Sequence, residues 1–166
     1  EAVKSLQQAI AIQPKDSDSH YNLGLAYSKQ SKFNEAVQSY NQSIALNPDY
    51  ADAYSNLGAI YSLQEKLDPA IAAFNEAIRI NPADAYNYSN IGYVYLKQSN
   101  LDKALTYYKE SIRINPNYDI SHLNLGNVYL KKGLLQLAKE SFTEALKLNP
   151  SNSDAKFNLE RLKEVR

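Results

Sequence analysis

Five asparagines, Asn22, Asn56, Asn90, Asn124 and Asn158, stand 34 residues apart in a chain of 166. A carboxamide has both donors and an acceptor, so a row of them can hold the backbone of an extended peptide without reading its side chains. Each such bond contributes about 0.5 to 1.5 kcal/mol net. Beyond that row, residues able to do chemistry are sparse. His20 and His122 share one position three intervals apart, and the helices between them, each about 8 to 10 Å wide, keep the two rings from sharing a metal or a proton. Each reads as a packing or hydrogen-bonding substitute for an aromatic residue. Asp16, Asp18 and His20 lack the glycine and distal glutamate of a calcium loop and read as helix-start capping. With no cysteine, and no GxxxxGK[ST], HExxH or GxSxG pattern, the expectation is a segment without catalytic residues, metal or cofactor.

The elements that must position these residues follow the same interval. Glycines 24, 58, 92 and 126 and prolines 14, 48, 82, 116 and 150 all keep it. With Ser17 as position 1, complete repeats cover 17–50, 51–84, 85–118 and 119–152, flanked by a partial repeat with its linker at 1–16 and a segment at 153–166. Within each unit, apolar residues recur at steps of three and four, as in Leu23, Ala26, Tyr27 and then Val37, Tyr40, Ile44, which is helical periodicity. Each unit is therefore two helices. The first ends near Gln30, Gln64, Gln98 and Lys132. The second stops at an Asn-Pro step, because proline cannot continue a helix and disfavours helical geometry in the residue before it. Pro69, off the interval, reads as the first helical residue after an Asp68 N-cap.

The pattern resembles the tetratricopeptide repeat, with an aromatic residue, Leu-Gly, Tyr, Ala, a second aromatic residue and Pro at set offsets in 34 residues. In the second repeat these are Tyr54, Leu57, Gly58, Tyr61, Ala70, Phe74, Ala77 and Pro82. In the fourth they are His122, Leu125, Gly126, Tyr129, Ala138, Phe142, Ala145 and Pro150. His20 takes the first aromatic slot of the first repeat, and Ser43 and Ser111 replace the late alanine. The resemblance implies an all-α, right-handed superhelical solenoid of antiparallel helix pairs, whose first helices line a concave groove where partners bind. Small residues at the glycine and alanine slots would let the paired helices approach closely. A helix of about a dozen residues is marginal alone, so stability must come from stacking.

At 100° per residue, positions 4, 7, 8 and 11 face the packing side of the first helix and positions 2, 5, 6, 9 and 13 face the other side. The asparagines occupy position 6. That row resembles the asparagine ladder of the repeat domain in O-linked N-acetylglucosamine transferase. Tyr21, Tyr86, Tyr93 and Asn127 fall on the same face. Tyrosine there suits an interface, since it buries a large ring and keeps a hydroxyl. Asp18 and Asp52 mark the early end of the face, while Lys97 and Lys131 mark the late end, with Lys29 an exception; an acidic ligand near the third and fourth repeats is the expectation. The two-carboxylate clamp of some family members needs lysine and asparagine at positions 5 and 9, where this chain has Tyr21 and Leu25.

Eighteen basic residues balance eighteen acidic ones, which lacks the electrostatic signature of a nucleic-acid binder. Apolar runs are a few residues long, too short for membrane insertion. Residues 1–13 fit the second helix of an earlier repeat, with Ala2, Leu6 and Ala9 in its small and apolar slots. Their missing partner suggests further repeats before them, or self-association through that edge. Residues 153–166 begin a first helix but place Glu160 in the glycine slot and Lys163 in the tyrosine slot, which reads as a cap. With what the resemblance implies, the sequence thus points to a non-catalytic protein-interaction scaffold binding a protein or peptide ligand, as an extended peptide or a partner helix, in its concave groove, or to the substrate-recruiting arm of a larger enzyme such as a glycosyltransferase.

Overall fold

A computed structural model describes residues 1–164. Val165 and Arg166, the last two residues of the expected cap at 153–166, lie outside the described residues. The described residues form ten helices: α1 Ala2–Ile12, α2 Ser17–Lys29, α3 Phe33–Leu46, α4 Ala51–Leu63, α5 Leu67–Ile80, α6 Ala85–Lys97, α7 Leu101–Ile114, α8 Asp119–Lys131, α9 Leu135–Leu148 and α10 Ser153–Glu164. Among the described residues no helix is long and apolar enough to cross a membrane. Contacts divide the chain into two compact units, one from Glu1 to Pro82 and one from Ala83 onward.

The first unit stacks α1, the pair α2 and α3, and the pair α4 and α5, and the contacts within each pair are the most extensive. Glycine sets the distance inside a pair. A β-carbon added to Gly24 would lie 2.6 Å from Cε1 of Tyr40, and one on Gly58 would lie 2.8 Å from Cδ1 of Phe74. Both rings are buried, so they have little room to move aside. The core of this unit gathers Ala36, Tyr40, Ala53, Leu57, Ile60 and Ala73, with Tyr21, Tyr27, Val37 and Tyr50 packed on it.

The second unit repeats the plan with α6 and α7, α8 and α9, then α10. Added β-carbons would lie 2.9 Å from Tyr108 Cε1 at Gly92 and 2.6 Å from Phe142 Cε1 at Gly126. Its core holds Tyr108, Leu125, Val128, Tyr129, Phe142 and Ala155, joined by Leu159 and Leu162 of α10. Helix α10 thereby closes the apolar side of α9. The two serines in the late-alanine slot contribute more than small size. Ser43 Oγ donates to the carbonyl of Ser17 at 2.9 Å, and Ser111 Oγ donates to that of Ala85 at 2.8 Å, fastening the second helix of a pair to the start of the first.

The turns explain the remaining punctuation. After each first helix, one residue takes a left-handed conformation: Ser31, Glu65 and Ser99 with φ of 58°, 58° and 60°, and Gly133 with φ of 74°. The next residue then donates its N–H back to a carbonyl five residues earlier, as Lys32 does to Tyr27 and Leu134 to Tyr129. This is a Schellman ending, satisfying carbonyls that the last turn would leave bare. After α3, α7 and α9 the Asn-Pro step adds a turn in which the asparagine side chain accepts an N–H two residues on, from Asp49 to Asn47, Asn117 to Asn115 and Ser151 to Asn149. The observed helix ends fall one residue before those expected. Helix α5 starts earlier than the sequence suggests: Lys66 is the N-cap, so Asp68 and Pro69 are its second and third residues. Proline is tolerated there because the first-turn N–H groups have no intrahelical partner.

Candidate functional site

In each unit the first helices lie against the second helices on their glycine side, leaving positions 2, 6, 9 and 13 on the opposite side. Direct contacts place these first helices next to each other. In the first unit, Nδ2 of Asn56 on α4 donates to the Tyr21 hydroxyl on α2 at 3.1 Å and to the Asp52 carbonyl at 3.0 Å. In the second, Nδ2 of Asn158 on α10 donates to Oδ1 of Asn127 on α8 at 3.1 Å. At Asn56 and Asn158 the carboxamide is therefore part of the stack as well as part of a face: its nitrogen reaches back to the preceding first helix and leaves its oxygen as an acceptor. Asn90 goes further, with its amide nitrogen buried and without a partner among the described residues. Asn22 is exposed, whereas Asn124 is half-buried.

The tyrosines divide sharply. Tyr21 is half-buried, with ring centroids 4.7 Å from Tyr50 and 5.8 Å from Tyr40. Burial pushes its phenol up, the Asp52 carboxylate adds to that, and the bond from Asn56 opposes it. Tyr50 is likewise raised by burial and by its bond to Asp18. Tyr21 thus fills the position-5 site of its repeat and ties α2 to its neighbours. Tyr86 and Tyr93, each 43% exposed on α6, stay at the surface. The Lys97 ammonium lies 5.4 Å from the centroid of the Tyr93 ring, so aromatic and cationic surface are continuous there. Lys131 is exposed at the corresponding end of α8.

Three residues of this face were not singled out by sequence reasoning. Ile120 is 44% exposed at position 2 of α8, and Phe157 is 58% exposed at position 5 of α10. Arg161, at position 9, lies 5.7 Å over the Phe157 ring. The signal that finds them is the repeat register continued into α10. The second unit holds twelve basic and nine acidic residues, whereas the first holds six and nine. The balanced total hides this division.

The histidines act as expected of aromatic substitutes. His20 Nε2–H donates to the carbonyl of Pro14 at 3.0 Å, and His122 Nε2–H donates to that of Pro116 at 2.8 Å, pinning a first helix to the turn before it. Asp16 caps α2 through the N–H and hydroxyl of Ser19, at 3.1 and 2.5 Å, and those bonds hold its carboxyl below the usual range.

Two family models match. One described as TPR repeat covers residues 1–31 and 29–65, and one described as Tetratricopeptide repeat covers 51–84, 85–118 and 120–152. No relative was found among the curated proteins. Solved structures are similar over most of the chain. A crystal structure of MamA is 26% identical, with a TM-score of 0.83, over 91% of this chain and 88% of that one. Pseudomonas aeruginosa pilF has a TM-score of 0.87 at 22% identity, over 96% and 73%. YrrB, described as "a TPR protein with an unusual peptide-binding site", has a TM-score of 0.79 at 22% identity, over 99% and 84%. The repeating glycine contacts, the Schellman turns and both family models agree that this chain belongs to the tetratricopeptide-repeat family.

Proposed function

We propose that the chain is a non-catalytic scaffold that holds an extended peptide along the face its first helices present within a unit, with the asparagines on the peptide backbone. The observation that carries this reading is a carboxamide at the same register of five first helices, beside exposed Tyr86 and Tyr93. The asparagine ladder to which the row is similar would act in the same way, with an important difference in detail. Where the amide is committed to the preceding helix, the ligand takes the remaining oxygen, so peptide N–H groups would donate to Asn Oδ1. The peptide-binding site named for YrrB belongs to that protein and supports the class of ligand by analogy.

The test begins with a random decapeptide display library, selected against the whole chain without bias in composition. Asn90→Ala combined with Asn124→Ala should weaken a selected peptide by about tenfold or more, equivalent to about 1.4 kcal/mol, while circular dichroism is unchanged. Unaltered affinity, or a library that returns no binder, overturns the reading.

A further inference from the structure

The face of the second unit is built in parallel rows, and their chemistry differs on the two sides of the asparagines. Position 2 gives Tyr86 on α6 and Ile120 on α8, both more than two-fifths exposed. Position 6 gives Asn90, Asn124 and Asn158. Position 13 gives Lys97 and Lys131, and Arg161 adds a cation at position 9 of α10. Asp154, at position 2 of α10, ends the apolar row. At 1.5 Å per residue, the apolar row lies about 6 Å along the helix from the carboxamides, and the lysine backbones about 10 Å the other way. A lysine side chain reaches back across most of that gap.

A strand's N–H and C=O groups lie in one plane and its side chains stand perpendicular to it, alternating in direction. When the backbone of a bound peptide is directed at the asparagines, its side chains therefore point along the helices, alternately toward the two flanking rows. Three first helices spaced by about 10 Å span about 20 Å, the length of about six extended residues.

Resting on the peptide-binding reading, we infer that the second unit selects an extended segment of about six residues in which apolar and acidic residues alternate, the apolar ones against Tyr86 and Ile120 and the acidic ones against Lys97, Lys131 and Arg161. Glutamate is preferred to aspartate, because the lysines stand farther from the asparagine row than the apolar residues do.

The probe is a fluorescein-labelled peptide, Ser-Val-Glu-Tyr-Glu-Val-Glu-Ser, titrated with the full chain by anisotropy. Two controls accompany it: lysine in place of each glutamate, and the same composition in block order, with the apolar residues first. The alternating acidic peptide should bind at least tenfold more tightly than either control, and less tightly as salt rises. Lys97→Glu with Lys131→Glu should reverse the preference between the glutamate and lysine versions. Equal binding of the alternating and block-ordered peptides, an unchanged charge preference in the double variant, or no binding of the acidic peptide overturns the inference. If library-selected peptides still depend on Asn90 and Asn124 but show no alternation, the broader reading stands and this one falls. If the alternating peptide binds without depending on those asparagines, both fall.

Discussion

The two units share a backbone plan and differ in what the first helices present. In the first, Tyr21 is drawn into the stack by Asn56, Tyr40 and Tyr50, and Asp18 and Asp52 occupy position 2. In the second, position 2 carries Tyr86 and Ile120, Tyr93 stays exposed, and lysines end α6 and α8. The residues that set helix spacing barely change between units: Gly24, Gly58, Gly92 and Gly126 all meet a buried ring. Residues on the outer face are released from that constraint and diverge. The three tyrosines hold different places in the repeat, position 5 for Tyr21 and positions 2 and 9 for Tyr86 and Tyr93. The one at position 5 is drawn into the stack, and the other two stay at the surface.

The largest effect should come from the spacing glycines. Gly126→Val forces side-chain carbons against Phe142 and should cost about 3 kcal/mol, with hydrogen exchange accelerated in the second unit while the first stays protected. Gly24→Val should do the converse. Uniform loss of protection from either variant would show that the units do not respond separately.

Next comes the division of the tyrosines. Tyr21→Ala should lower stability by about 2 to 3 kcal/mol in a denaturant titration. Tyr93→Ala should change stability by less than about 1 kcal/mol yet weaken a library-selected peptide several-fold. Reversal of those two outcomes would break the contrast between the units. Asp16 adds a smaller, pH-dependent difference. Its carboxyl is lowered in the folded state, so its contribution is present above the unfolded value and lost as pH falls through the folded one. Asp16→Asn should flatten that acid-side loss in a stability-against-pH curve.

A smaller change is expected where one hydroxyl sits badly. Tyr108 is fully buried and its OH has no partner among the described residues, while Phe74 and Phe142 fill the same slot in their repeats. Tyr108→Phe should leave the melting temperature unchanged or raise it, by up to about 1 kcal/mol of stability. Smallest of all is the turn after α6. Ser99 takes a φ of 60° where Gly133 serves in the fourth repeat, so Ser99→Gly should stabilise by about 0.5 kcal/mol once the glycine's entropy cost is set against the relieved strain.

Much of the fold was legible in the sequence because its determinants are local and repeated. The glycine interval marked where helices touch, and the Asn-Pro steps marked where they end. The face was legible in part: helical periodicity assigns positions 2, 5, 6, 9 and 13 to one side, whereas Ser55 and Ser89 at position 5 are buried by their neighbours. What escaped depends on partners a repeat away. Nothing at Tyr21 itself announces that Asn56, 35 residues later, donates to it. Nothing in an alanine-to-serine change announces that Ser43 and Ser111 reach a carbonyl 26 residues earlier. The start of α5 was misjudged for a different reason: aspartate before proline looks like a cap, but the preceding turn places Lys66 there.

The account rests on ligand meeting the first helices. Its most direct test is nitrogen-15 NMR of the whole chain titrated with a library-selected peptide. The account predicts the largest shifts at the side-chain amides of Asn90, Asn124 and Asn158 and along the exposed side of α6, α8 and α10, with α7 and α9 nearly still. Shifts concentrated on α7 and α9, with those amides unmoved, would contradict it.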